Sequence, residues 1–348
     1  YLHYGDQNTL RVGIFYGSNW EVPGTVHYEI LDQAIKKFES KYPNVKVEYE
    51  KGILSNDYSE WLSEQILKGT EPDVYLVLDE DFNTLASLGA LKNLDMLVGG
   101  DKEFDSNVFY SSVYKAGQYE GSQYALPMEC NPTLMFVNKT LLQKEGIKVP
   151  DNDWTWDDFY DICKTIVKDS DGDGQMDQFG CYDYTWLQAV YSNGITPFNQ
   201  SGTSSNFLDE KFSQSLEFVK RLEATNRNYQ VTSNDFDLGK VAFRPFTFSD
   251  YRTYMPYPWR IKKYSGFEWT CIRMPAGPSG DNRSEMSALM AGMSSRTEKK
   301  QCAWDFVKLL TTDTDIQKLV YEDTSAASVL KSVNTSQDTM NLLNKDTP

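Results

Sequence analysis

The chain has 348 residues, 40% hydrophobic and 24% charged, which is an ordinary globular composition and more chain than one core usually takes, so two lobes are expected. It carries 34 basic against 50 acidic residues, a net charge of −16, which sets aside nucleic acid and anionic lipid surfaces as partners and otherwise serves solubility. Only two histidines occur, His3 and His27, so Ser-His-Asp, Cys-His and histidine-rich zinc devices lack raw material. The five cysteines, Cys130, Cys163, Cys181, Cys271 and Cys302, are odd in number and widely spaced, which points to free thiols rather than a disulfide framework or a zinc ribbon. No apolar run is long enough to cross a bilayer, and a soluble protein is expected, with any export signal removed.

From Thr9 the chain alternates. Leu10 to Tyr16 reads as a strand ending in Gly17-Ser18-Asn19-Trp20. Residues 26–41 put Ile30, Leu31, Ala34, Ile35 and Phe38 on one helical face. Val45, Val47 and Tyr49 alternate as a strand. A helix from Tyr58 to Lys68 stops at Gly69, and the run Asp73 to Leu78 is apolar from Val74 on, as in a parallel strand covered on both faces. This is a βαβαβ pattern, and ligands of such sheets sit beyond the carboxyl ends of the strands. The loops concerned are Gly17 to Trp20, with Asn19 and Trp20 as candidates, and Asp79-Glu80-Asp81. Trp20 is either an aromatic at the core edge or a stacking surface; Asp79 and Glu80 are either the start of a helix or ligand acceptors.

Gly117 to Ile147 is a tyrosine-flanked turn (Tyr119, Gly121, Tyr124), an apolar extended run to Val137 interrupted at Pro127 and Asn131-Pro132, and a helix from Asn138 stopped by Gly146. Two prolines argue against one uninterrupted central strand and for a crossover between two sheets, with a bulged edge strand as the alternative. The pattern Tyr-x-Gly-x-x-Tyr-x-x-Pro, then an apolar run, Asn-Lys, a leucine pair and Gly-Ile, resembles the extracellular solute-binding proteins of ABC importers. It is closest to the group with maltose-binding protein and other oligosaccharide binders. The resemblance implies that Pro127 to Thr133 is the first of three hinge crossings and that Glu129 and Asn131 touch ligand.

Past the hinge, Thr155 with Asp158 makes a near capping box for a helix to about Lys168. Asp169-Ser170-Asp171-Gly172-Asp173-Gly174-Gln175-Met176-Asp177 then places carboxylates at positions 1, 3, 5 and 9 of a calcium-type loop, with Gly174 at 6 and the Gln175 carbonyl at 7. Position 12 is Gly180 instead of the bidentate Glu, so a further oxygen must come from water or another segment. A structural Ca²⁺ of weak affinity is expected.

Tyr182 to Gly194 is an aromatic helix start resembling the segment where oligosaccharide binders stack sugars, which makes Tyr184 and Trp186 candidates and Tyr182 a weaker one. A helix from Leu208 to Ala224 turns Phe212, Leu216, Val219 and Leu222 inward. Gly239 to Tyr251 resembles the family's strand that presents an aromatic to the ligand. The usual Gly-x-Trp is missing, so Ser249, Asp250, Tyr251 and Trp259 compete for that role. Trp269 to Gly280 reads as the return crossing, Glu298 to Leu310 as an amphipathic helix, Thr324 to Val333 as the third crossing, and the tail as frayed.

The expected fold is α/β, two-lobed and periplasmic-binding-protein-like, with residues 9–128 and 276–322 in one lobe, 132–272 and 326–348 in the other, and 1–8 as linker. The resemblance implies a monomeric, extracellular, lipid-anchored protein that closes its lobes on a carbohydrate and passes it to an ABC permease without catalysis. A binder of cations such as polyamines, ringed by Asp79, Glu80, Glu129 and Asp250, is the nearer alternative; a glycoside hydrolase is the other.

Overall fold

A computed structural model describes residues 8–20, 29–254 and 266–345. His3, His27, Trp259 and the start of the 26–41 helix lie outside the described residues. The chain forms two compact units, Tyr1–Asn131 with Ser287–Pro348, and Pro132–Met286.

The first unit opens as the alternation requires: β1 (Asn8–Gly13), α1 (Glu29–Lys41), β2 (Val45–Tyr49), α2 (Tyr58–Lys68), β3 (Val74–Val77) and α3 (Asp79–Ser87). β1 pairs in parallel with both β2 and β3. All four residues of β3 are buried, as befits a strand covered on both faces. α2 ends where Gly69 adopts the left-handed conformation, φ 71°, that a residue with a Cβ resists. α4 (Asp95–Gly100) and α5 (Ser111–Lys115) lead to the hairpin of β4 (Gln118–Tyr119) and β5 (Ser122–Gln123), whose two-residue turn puts Glu120 at φ 47° and Gly121 at φ 83°.

β6 (Ala125–Asn138) is one strand of 14 residues despite both prolines. Its early part pairs with β11 through Glu129 and Cys130, and its later part with β8 from Thr133 onward. Pro132 falls where the pairing partner changes, so no ladder bond is asked of its nitrogen. The crossover reading holds, and the expected break in the strand does not.

The second unit is Pro132–Met286, a continuous piece of chain. It holds α6 (Lys139–Lys144), α7 (Trp156–Ile166), β7 (Phe179–Cys181), α8 (Trp186–Ser192), α9 (Glu210–Ala224), α10 (Ser233–Asp237), β8 (Val241–Thr247), α11 (Phe248–Tyr254) and β9 (Trp269–Ile272). The later part of β6 lies between β9 and β8, and β8 pairs with β7. Asn138 caps α6, and Thr155 with Asp158 completes the capping box of α7. The core packs Trp156 flat on Phe218, ring centroids 4.2 Å apart, with Phe159 and Phe243 beside them. On α9 it is Phe218 rather than Leu216 that turns inward; Leu216 is exposed.

The return also differs from expectation. Residues Trp269 to Gly280 stay in the second unit, because β9 pairs with β6 and Gly277 and Gly280 pack so closely on Asn193 and Ser192 that a Cβ on either would collide. The chain re-enters the first unit with Ser287, inside β10 (Met286–Met293), which runs antiparallel to β3.

α12 (Lys300–Thr312), α13 (Thr314–Asp323), β11 (Ala327–Ser328), α14 (Lys331–Asn334) and α15 (Gln337–Lys345) then complete the first unit. Residues 326–348 were expected in the other lobe. They cluster instead with the first unit, because β11 pairs with β6 and the buried Gln317 amide of α13 donates to the Met128 carbonyl while accepting from Ser328 Oγ, 2.7 Å away. The tail is helical to Lys345 rather than frayed.

Candidate functional site

In the first unit the candidate residues lie on the loop after β1, within β6 and in the first turn of α3. Trp20 follows β1, its backbone N–H held by Ser18 Oγ at 3.0 Å, and its ring packs partly buried against the core. Glu129 sits on β6 with only 4% of its surface exposed. Burial pushes its carboxyl up to about 7, against the opposing pull of the Thr324 hydroxyl and the Trp20 indole N–H that face it. The indole nitrogen is itself buried without a hydrogen bond of ordinary geometry, so an indole face, an indole N–H and a protonatable acceptor occupy one locality. Thr324 is a contributor that sequence reasoning passed over; only its position just before β11 could have pointed to it. Asn131 is buried on the same strand, and Asn19 is half-buried beside Trp20. Asp79 and Glu80 form the exposed first turn of α3, where the free amides of the helix end favour negative charge.

In the second unit Trp186 opens α8, whose start is fixed by Thr185: its backbone N–H and hydroxyl both reach Gln188 Oε1, at 2.8 and 2.6 Å. The Trp186 ring is 41% exposed and leans on Phe212, centroids 5.7 Å apart. Tyr184, by contrast, is a core residue, buried edge-to-face on Phe159 at 5.0 Å. Asp250 is engaged in its own helix start, accepting from the Thr247 N–H at 3.1 Å while Thr247 Oγ1 accepts from the Asp250 N–H. Tyr251 stacks beside Phe248 and meets Trp269 edge-on.

The acidic loop of the second unit gathers Asp169, Asp171 and Asp177, each offering an oxygen within 4.8 Å of the others. Gly172 and Gly174 take the left-handed conformation, φ 80° and 90°, that the tight turn needs. Asp169 accepts from the N–H groups of Gly174 and Gly172, at 2.7 and 2.6 Å, and these bonds hold its carboxyl below the usual carboxylate range. The Ser170 hydroxyl and N–H do the same for Asp177. Asp173 caps the Gln175 N–H instead, at 2.8 Å, and stands outside the cluster. Gly180 is closed off: a Cβ there would lie 2.5 Å from Cys163 Cβ. Three converging carboxylate oxygens fit a hard cation such as Ca²⁺, whose remaining ligands would come from the Gln175 carbonyl and water.

An α/β architecture in two units that carries exposed aromatic and buried carboxyl groups fits a solute-binding protein. The chain belongs to the bacterial extracellular solute-binding protein family, whose model matches residues 23–316. It is similar to the multiple sugar-binding protein of Streptococcus mutans, 28% identical over 140 residues, a match that spans 39% of this chain and 30% of that one. The match therefore covers under a third of that relative's length. Among solved structures, the fold is similar to the sugar-binding protein MalE from Xanthomonas citri, with TM-score 0.77, 17% identity and 97% of this chain and 84% of that one covered. It is also similar to an ABC substrate-binding protein from Listeria monocytogenes in complex with cycloalternan, with TM-score 0.66, 21% identity and coverage of 98% and 83%.

Proposed function

We propose that this chain captures a carbohydrate, an oligosaccharide, outside the bacterial cell and delivers it to the permease of an ABC importer, binding it without turning it over. The observation that carries this reading is the Trp20–Glu129 locality. Sugars present C–H groups on their faces and hydroxyls at their edges, so they call for a flat ring beside a fixed acceptor. The second unit carries an exposed ring of its own, Trp186. The sugar-binding names of the relatives support the same class of ligand. Native mass spectrometry of freshly purified protein tests it: a co-purified mass in steps of hexose or pentose units is expected, and a polyamine mass would overturn it. Incubation of any bound sugar with the protein should release no new reducing ends.

A structural Ca²⁺ held by Asp169, Asp171, Asp177 and the Gln175 carbonyl belongs to the proposal, its support being the oxygens gathered in that loop. The protein is proposed to act as a monomer, which light scattering tests, and to be held at the membrane by a lipid on an N-terminal segment, which labelling with a fatty-acid analogue tests.

A further inference from the structure

Residues 184–208 contain no Asp, Glu, Lys or Arg, although 24% of the chain is charged. This is the longest uncharged stretch in the sequence, and it lies between Asp183 and Asp209. The structure lays a ribbon of rings along it. Trp186 leans on Phe212 at 5.7 Å, Phe212 on Phe207 at 5.0 Å, and Phe207 on Phe198 at 5.4 Å between centroids. Phe212 is buried as the root of the ribbon, whereas Phe207 and Phe198 are 45% and 50% exposed.

The loop that holds the two phenylalanines is tied internally. Phe198 pairs with Ser205 in an antiparallel bridge. The Asn199 side-chain oxygen accepts from the Thr203 N–H at 2.8 Å, and Asn206 donates to the Thr196 carbonyl at 2.9 Å. Rings on such a loop are ordered before any ligand arrives, which lowers the entropy cost of using them.

Contiguous exposed aromatics cost solvation free energy and mark a surface meant to be covered. Along the stretch itself there is no charge, and the pocket that Thr196 and Asn206 line holds a single charged residue, Arg283; so low a charge selects the occupant. A lipid surface calls for basic residues, and a protein partner for a charged rim. A neutral glycan asks for flat rings, hydroxyls and amides, and the Ser205 hydroxyl and the Asn206 side-chain oxygen supply the latter two, while the side chains of Thr196, Asn199 and Thr203 are engaged within the loop.

We propose that Phe207 and Phe198 extend the sugar-binding face beyond Trp186, so that the ligand is a neutral oligosaccharide whose further units stack along this ribbon. The inference rests on the carbohydrate reading above. The experiment is calorimetric titration of the whole chain with the two-unit to six-unit members of the malto-, manno-, cello- and xylo-oligosaccharide series. In one series affinity should rise at least about tenfold from the two-unit to the six-unit sugar. Phe198→Ala and Phe207→Ala should abolish that gain while leaving the two-unit affinity unchanged, and Phe198→Tyr should restore it. Melting curves of the variants should match the parent. Affinity independent of length, or a length gain that survives both Ala variants, overturns this inference and leaves sugar capture standing. A concentration-dependent dimer that the Ala variants dissolve also overturns it, since the ribbon then covers a second copy. Binding to no member of any series overturns both readings.

Discussion

The indole N–H of Trp20 faces the buried carboxyl of Glu129, yet burial outweighs it and leaves that carboxyl titrating near 7. An unfolded Glu titrates near 4.5. Between those values the folded chain keeps a proton that the unfolded chain has released, so this group's contribution to stability is greatest below 4.5 and is lost as pH rises toward 7. Each factor of ten in proton affinity is worth about 1.4 kcal/mol, so the fall amounts to about 3 kcal/mol from this group. Glu129→Gln cannot titrate. Its melting temperature relative to the parent should rise between about pH 4.5 and 7.5, and a constant difference across that range would contradict the assignment.

The tryptophans should separate by role. Trp304 is 1% exposed, donates to Asp101 at 2.9 Å, and meets Phe104 edge-on, so Trp304→Ala should lower stability by about 3–5 kcal/mol in urea titrations. Trp20→Ala and Trp186→Ala should leave the fold standing and weaken sugar binding about tenfold to a hundredfold each, equivalent to about 1–3 kcal/mol. Unchanged affinity in both would place the ligand elsewhere.

Calcium in the millimolar range should raise the melting temperature relative to chelator, and Asp169→Ala should remove the difference. Gly180→Glu restores the residue type that a calcium loop carries at its twelfth position. Because a Cβ there would lie 2.5 Å from Cys163 Cβ, it should destabilise the second unit rather than tighten the site. Higher calcium affinity in that variant would show that the segment opens more easily than its packing implies.

Gln317 is wholly buried and fully partnered, donating to the Met128 and Leu310 carbonyls at 3.0 Å and accepting from Ser328. Gln317→Leu leaves those partners unsatisfied and should cost about 1–3 kcal/mol, with faster amide exchange along Ala327 to Leu330. Exchange unchanged there would mean that the strand pairing alone secures the segment.

Local signals were legible where one residue decides the backbone. Gly69 ends α2, Glu120-Gly121 turns the β4–β5 hairpin, and Thr155 with Asp158 starts α7. The proline rule failed at β6 because a missing N–H matters only where a partner strand calls for it, and sequence does not say which side is paired. Helical period misjudged α9, since Leu216 and Phe218 fall at opposite edges of the apolar stripe and only packing against Trp156 chooses between them. Tyr184 and Trp186 look alike as candidates in sequence, yet two positions around a helix start send one ring to the core and the other to solvent. The pairing of β11 with β6 joins residues far apart in the chain, which no local pattern encodes.

Because the second unit is one continuous piece, its two ends meet: the Thr133 N–H donates to the Glu285 carbonyl at 3.0 Å. It is therefore built like a guest module spliced into a host, and a peptide linker could close the host over the gap or join the guest's own ends in a circular permutant. Selection could exchange the guest wholesale, with its acidic loop and aromatic ribbon, while the host keeps Trp20 and Glu129, so the two units are free to evolve separately.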